Sequence, residues 1–294
     1  MEEFAAFLYG YAFEVSGIKR ENNHFILEFE WVAKDTITGD ILEERIPMRY
    51  YVVEEEGKFV FINPVDLLTQ EWRAYRNGIL TFHYPSIKDT RGSKAALRRM
   101  SSLCLKISEL LESYLPVSEQ VDVYVARSGV EVGELLLHPP AGGYALVARD
   151  LIVSPTFINP HEYVHLITMH DGDFINAAFA EGIAIALGGT YWSTPEYSLA
   201  IAGHLIDDPR YIPAEKLLLS DDKDFLANAH ITYHEAGAFS RFLIDEYGIG
   251  KLVELSERCD LGENLQSSFT AIYKSKISEL EPKWHNYLRS WGGP

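Results

Sequence analysis

Residues 175–187 read Ile-Asn-Ala-Ala-Phe-Ala-Glu-Gly-Ile-Ala-Ile-Ala-Leu, and no other stretch constrains the fold as much. The run is apolar nearly all round. A helix without a polar face must be buried on every side, so the chain has to place other elements around it. Its only charged residue is Glu181. A carboxylate carried into an apolar setting costs free energy or takes up a proton unless it finds a partner. Gly182 follows directly, although a glycine inside a helix costs ~1 kcal/mol. Its use implies that something approaches the backbone closely. The plain readings are that Glu181 meets a core Arg or His and that Gly182 lets two helices pack. The sharper one is that Glu181 holds a metal ion.

The sharper reading gains weight upstream. His161-Glu162-Tyr163-Val164-His165 fits the pattern H-E-x-x-H. Positions i and i+4 share one helical face, one turn apart. Two imidazoles placed so can converge on one ion with Zn–N distances of ~2.0–2.1 Å, and the glutamate between them can activate the metal's water. Glu162 also has a structural reading. Asn159-Pro160 has the form of an N-cap followed by proline at the first helical position. Glu162 then falls where a glutamate closes a capping box. Between the two motifs, His170-Asp171-Gly172-Asp173 consists of turn formers, so the chain can reverse there into a second helix. Glu181 stands sixteen positions after His165, which leaves room for a short turn and about two helical turns. Asp173 is an alternative third ligand, though its setting suits an N-cap. His138, before Pro139-Pro140, reads as a loop residue.

The rest of the chain bounds what this site can belong to. Its 294 residues are 47% hydrophobic, enough for one large core or for two domains of ~150 residues. Aromatics at 13% and charges at 23% mark a folded globule. A net charge of −17 repels phosphate backbones, so nucleic acid is not expected as a partner. It also weighs against a polybasic membrane surface. No apolar stretch reaches the ~18 residues of a transmembrane segment. Glu2, Glu3 and Glu14 stand where a leader would be basic, so no signal peptide is read. Compartment and oligomeric state stay open. Cys104 lies in an apolar helical run and reads as a small buried hydrophobe; with Cys259 it does not make a disulfide framework.

The pattern gives an α+β fold in two parts. Residues 1–12 suit a short helix. Residues 24–33, 45–53 and 58–62 suit strands, with turn signals at Thr38-Gly39-Asp40 and at the acidic residues 54–57. This is a small antiparallel module over 1–88, cystatin-like in pattern. The polar stretch 85–93 marks a boundary. Residues 89–294 then hold a helix over 94–115, strands over 121–126 and 144–153, and an almost wholly helical run from 159. The acidic runs 54–56 and 221–224 read as solvated surface. There is no internal repeat and no low-complexity tract.

A family resemblance enters with H-E-x-x-H followed by Glu181-Gly182-Ile183-Ala184. The combination resembles the gluzincin metallopeptidases, above all the peptidase MA-like group. Residues 232–239, with Phe242-Leu243 and Tyr247-Gly248, are similar to that group's later helix. Gly142-Gly143-Tyr144-Ala145 resembles the start of the edge strand along which zincins align a peptide. The likeness spans residues 90–290 as a pattern. It implies a zincin-like catalytic domain with one zinc per chain, held by His161, His165 and Glu181. It implies Glu162 as general base and a peptide or protein substrate lying along Gly143, Tyr144 and Ala145. It also implies a tyrosine or histidine at the oxyanion; Tyr233 is the first candidate, with His234 and Tyr191 behind it.

The chain departs from the family in places. The gap to the third ligand is shorter than in thermolysin, and the aspartate that orients a ligand histidine there is replaced by Ile185. Another residue must supply that support. The metzincin pattern is excluded, because it needs glycine at Thr168 and histidine at Asp171. The expectation is a zinc-dependent peptidase. The alternatives are a pseudopeptidase that binds peptide or protein, and a structural metal site completed by Asp173 or His170.

Overall fold

The structure is a computed structural model, described for residues 11–21, 24–34, 41–85, 90–116, 118–138, 140–169 and 177–291. The fold is α+β, with an N-terminal antiparallel sheet, a second mixed sheet and a mainly helical C-terminal half. The described residues divide into two compact units, one drawn from 1–95, 122–144 and 152–157, the other from 96–121, 145–151 and 158–294.

The first unit opens with four consecutive antiparallel strands, β1 (Tyr11–Glu21), β2 (His24–Lys34), β3 (Ile41–Glu55) and β4 (Lys58–Ile62), in that spatial order. The three expected strands are β2, β3 and β4. β1 occupies residues 11 and 12, where the sequence pattern suits a helix; the other ten residues of that helix lie outside the described residues, as does the turn at 38–40. The β3–β4 hairpin closes through Glu56 and Gly57, both at positive φ (51° and 75°), the two-residue turn whose twist matches that of the flanking strands. Glu54, Glu55 and Glu56 are exposed, as their solvated reading required.

After β4, helix α1 (Pro64–Leu68) starts where Asn63 accepts a hydrogen bond from the Val65 amide at 3.0 Å. The second sheet runs in the order β5 (Arg73–Asn77), β6 (Leu80–Tyr84), β7 (Val121–Val125), β9 (Leu151–Ser154), β8 (Tyr144–Leu146). Helix α2 (Thr90–Leu111) follows β6, and α3 (Gly129–Leu136), capped by the Ser128 side chain, follows β7. Residues 144–153 are not one strand. A short 3-10 turn over Val147–Arg149 breaks them, and Asp150 sits at φ 48°. β8 is thus only three residues long, at the end of the sheet order.

The second unit is built from helices: α4 (Pro160–Thr168), α5 (Ala177–Gly188), α6 (Pro195–Leu205), α7 (Ala214–Leu218), α8 (Asp222–Ala227), α9 (Ala229–Tyr247), α10 (Ile249–Asp260), α11 (Leu265–Tyr273) and α12 (Ile277–Arg289). α12 shows why these sequences pack. Ile277, Leu280, Trp284 and Leu288 recur at helical spacing and are buried, while Ser278, Glu279, Pro282, Lys283 and Asn286 face solvent. α9 packs along α5 and against α6. No helix among the described residues is long and apolar enough to cross a membrane. Cys104 and Cys259 are both buried.

Candidate metal centre

The apolar run does become a buried helix, α5, and two glycines set its place. A Cβ on Gly182 would lie 2.6 Å from Ser240 Oγ and 2.9 Å from the Ala236 carbonyl of α9. A Cβ on Gly188 would lie 2.6 Å from the main-chain nitrogen of His161. α5 therefore fits against α9 at one point and against the start of α4 at another, at distances only glycine permits. Packing accounts for Gly182. It also leaves Glu181, one residue earlier, to turn toward α4.

α4 is nine residues long, and residues 160–167 are buried. Its orientation is fixed on the side away from the histidines. The Tyr163 hydroxyl, fully buried, lies 2.6 Å from Ser108 Oγ on α2. The opposite face carries His161 and His165, whose rings stand nearly perpendicular at 84° with centroids 4.7 Å apart. Their Nε2 atoms are 3.0 Å apart. Glu181 completes the triangle, with Oε2 3.1 Å from His161 Nε2 and Oε1 3.7 Å from His165 Nε2. Among the described residues these three alone form a group able to hold a metal ion.

The donor set fits a small cation. A tetrahedral ion with bonds of ~2.0–2.1 Å separates its ligand atoms by roughly 3.3 Å. The Nε2–Nε2 separation of 3.0 Å and the approaches of the two carboxylate oxygens, Oε2 at 3.1 Å to His161 and Oε1 at 3.7 Å to His165, lie around that value. His165 Nδ1 is buried without a hydrogen bond. The support missing at Ile185 comes from the main chain. His161 Nδ1 lies 2.8 Å from the Gly189 carbonyl. With the proton on Nδ1 donated to that oxygen, the Nε2 lone pair faces the other two donors, the arrangement that orients a ligand imidazole. Ile185 itself is fully buried against Gly237 of α9.

The charges of the cluster are mutually compensated. Burial disfavours a charged His161, but the hydrogen bond and negative charge of Glu181 outweigh it and push the imidazole up to about 9. Burial likewise opposes a charged Glu181, and the two histidines hold its carboxyl far below the usual range. Glu162 is buried on α4. Burial raises its pKa, and the charges of His161 and His165 partly offset this. The Asn159 side chain makes no capping hydrogen bond to α4; it engages the Glu162 carboxyl instead.

The remaining candidates lie on other elements. Tyr233 is half-buried on α9, its ring stacked on Phe225 at 5.4 Å. His234, buried beside it, meets Ser198 Oγ at 3.0 Å through Nδ1 and the rings of Trp192 and Tyr197, each at 5.9 Å. Tyr191 is 46% exposed in the turn after α5. Tyr144 and Ala145 lie in β8 with Gly143 just before it. His138 follows α3, its ring 5.3 Å from that of Tyr144. His170, Asp171 and Asp173 lie outside the described residues.

Sequence reasoning does not find the Gly189 carbonyl. The only signal is the Gly188-Gly189 pair, which reads as a helix stop. It also passes over Glu235, a fully buried acid on α9. Comparison with known proteins gave no match, either to a family model or to a curated sequence.

Proposed function

We propose that the chain is a metal-dependent hydrolase, with zinc as the metal and peptide bonds as the substrate class. One observation carries this reading: two imidazole nitrogens and one carboxylate, from neighbouring helices, converge within 3.7 Å of one another, with a further buried carboxyl, Glu162, on the same helix as the imidazoles. The likeness of these residues to the gluzincin pattern supplies the choice of peptide bonds. His161, His165 and Glu181 would hold the ion and leave one position for water or substrate. Zinc, when bound, supplies a Lewis acid that polarises a carbonyl and lowers the pKa of water from ~15.7 toward ~7.

The chain's own residues do the rest. Glu162 takes the proton of the attacking water and passes it to the leaving amine. Gly189 keeps the His161 ring in one tautomer. The burial of Glu162, His161 and His165 excludes bulk water from the proton's path. His234 and Tyr233 are the donors proposed for the oxyanion, and β8 is the strand proposed to pair with the substrate backbone.

Elemental analysis combined with a Glu162→Gln variant tests this reading. We expect about one zinc per chain in both proteins, and a loss of peptide hydrolysis in the variant by about 10²–10⁴. If no metal copurifies or binds on addition, the proposal fails. If metal binds and the wild-type chain cleaves no peptide library, the chain is a binding module built on the same donors.

A further inference from the structure

The two edges of the four-stranded sheet differ in how they meet solvent. β1, one edge, carries a bulge between Val15 and Gly17 and the charges of Glu14, Lys19, Arg20 and Glu21. Bulges and charges of this kind keep an edge from recruiting another strand. β4, the other edge, reads Lys58-Phe59-Val60-Phe61-Ile62. Its register with β3 is unbroken, it has no proline, and its one charge is at the end. Phe59 is 67% exposed, Phe61 64% and Val60 40%. The exposed rings are held in place, Phe59 edge-on to Phe25 at 5.4 Å and Phe61 to Tyr50 at 5.5 Å. Among the described residues no strand pairs with the outer side of β4, and an apolar edge of this kind is a template for a strand.

We propose that the strand it takes is β4 of a second copy of this chain, paired antiparallel about a two-fold axis through Val60. The symmetry of the segment favours this occupant. Residues directly opposite in a sheet must point to the same side, so an antiparallel register shifts only in steps of two. Centred on Val60, all five residues find partners. Val60 meets Val60 of the second copy, Phe59 meets Phe61, and Lys58 meets Ile62. One face of the seam then sets aromatic against aromatic, and the other sets Val60 against Val60 between two Lys58–Ile62 pairs. Charge fixes the direction. The β3–β4 hairpin tip carries the exposed Glu54, Glu55 and Glu56. An antiparallel seam sends the two tips to opposite ends, whereas a parallel one would set them side by side. The product is a continuous eight-stranded sheet whose outer edges are the two protected β1 strands.

A five-residue seam is small beside the ~800 Å² per partner of a standard interface, so the dimer is weak and shows itself by concentration. Sedimentation of the full chain from about 1 to 500 µM is expected to rise from monomer toward dimer. Val60→Lys and Val60→Glu each place like charges face to face on the axis, and each is expected to stay monomeric. An equimolar mixture of the two restores the dimer, because Lys then meets Glu. Circular dichroism shows whether the variants are folded. If they are not, Val60→Cys provides the second reading: oxidation links two chains through residue 60, the native cysteines both being buried, while Lys58→Cys does not link. A wild-type chain that stays monomeric throughout overturns the proposal. So does a dimer that survives both charge variants, or a mixture that fails to restore it. A Val60→Cys chain that forms no link also overturns it.

Discussion

Glu181, largely buried, and Glu235, fully buried, are both acids of the helical unit, and their surroundings are opposite. Glu181 faces two imidazoles within 3.7 Å, which hold its carboxyl ionised. Glu235 is fully buried on α9, with Oε1 accepting only the Ile212 amide at 3.2 Å and Oε2 without a hydrogen bond. The charge that acts on it is a second carboxylate, Glu281 of α12, which accepts from the Ala214 amide and the Tyr211 hydroxyl. His285 reaches Tyr211 and Glu281, at 2.8 and 3.5 Å, rather than Glu235. Burial pushes Glu235 up to about 8, with the Ile212 amide opposing the rise and the Glu281 charge reinforcing it. One acid is kept charged by its donors and the other is kept neutral by their absence. A buried carboxyl by itself therefore says nothing about metal; what matters is whether other ligand atoms converge on it.

The largest expected effect breaks the comparison directly. Glu181→Gln removes an anionic ligand and should weaken zinc binding by more than the 10–100-fold typical of losing a supporting group. Glu235→Gln should leave zinc affinity unchanged. Titration against a competing chelator measures both. Equal losses in the two variants would mean that the two acids do not differ in this way.

Next in size is the support of His161. Gly189 has φ 77°, and a Cβ there would lie 2.2 Å from the Ser193 carbonyl oxygen. Gly189→Ala must move the turn, and with it the carbonyl that holds Nδ1. A zinc affinity lower by about 10–100-fold is expected, with His165 and Glu181 intact. An unchanged affinity would show that His161 is oriented by α4 alone.

These effects bear on what the sequence could disclose. His161, His165 and Glu181 were legible because the i, i+4 spacing of two ligand side chains and a lone charge in an apolar run are written in residue types. The Gly189 carbonyl was not, since every residue carries one and only the fold selects which of them meets an imidazole. Glu235 sits in a helix rich in polar residues, where its burial leaves no mark. In the sheets, β2 was legible from its alternation. β5, reading Arg-Ala-Tyr-Arg-Asn, has no apolar face to betray it. The bulge in β1 shifts the period midway, and the turn at Asp150 divides what looks like one apolar strand over 144–153.

The smallest effect sharpens the comparison from the side of Glu235. Its carboxyl has an ordinary value of 4.5 and is pushed up to about 8 in the fold. The folded protein thus keeps a proton that the unfolded chain releases across that window. Where the folded state binds more protons, stability falls as pH rises. The contribution of Glu235 is most favourable below pH 4.5, declines through the window and levels off above pH 8. A tenfold change in proton affinity corresponds to about 1.4 kcal/mol, so the decline amounts to roughly 2–4 kcal/mol once relaxation around the ionised group is allowed for. Glu235→Gln is neutral at every pH and has no such slope. Denaturant unfolding at pH 5 and pH 9 should therefore show the variant gaining on the wild type by that amount at the higher pH, since all other groups titrate alike in both proteins. Parallel stability curves would mean that Glu235 is ionised in the fold and has found a cation, which would make the two buried acids alike after all.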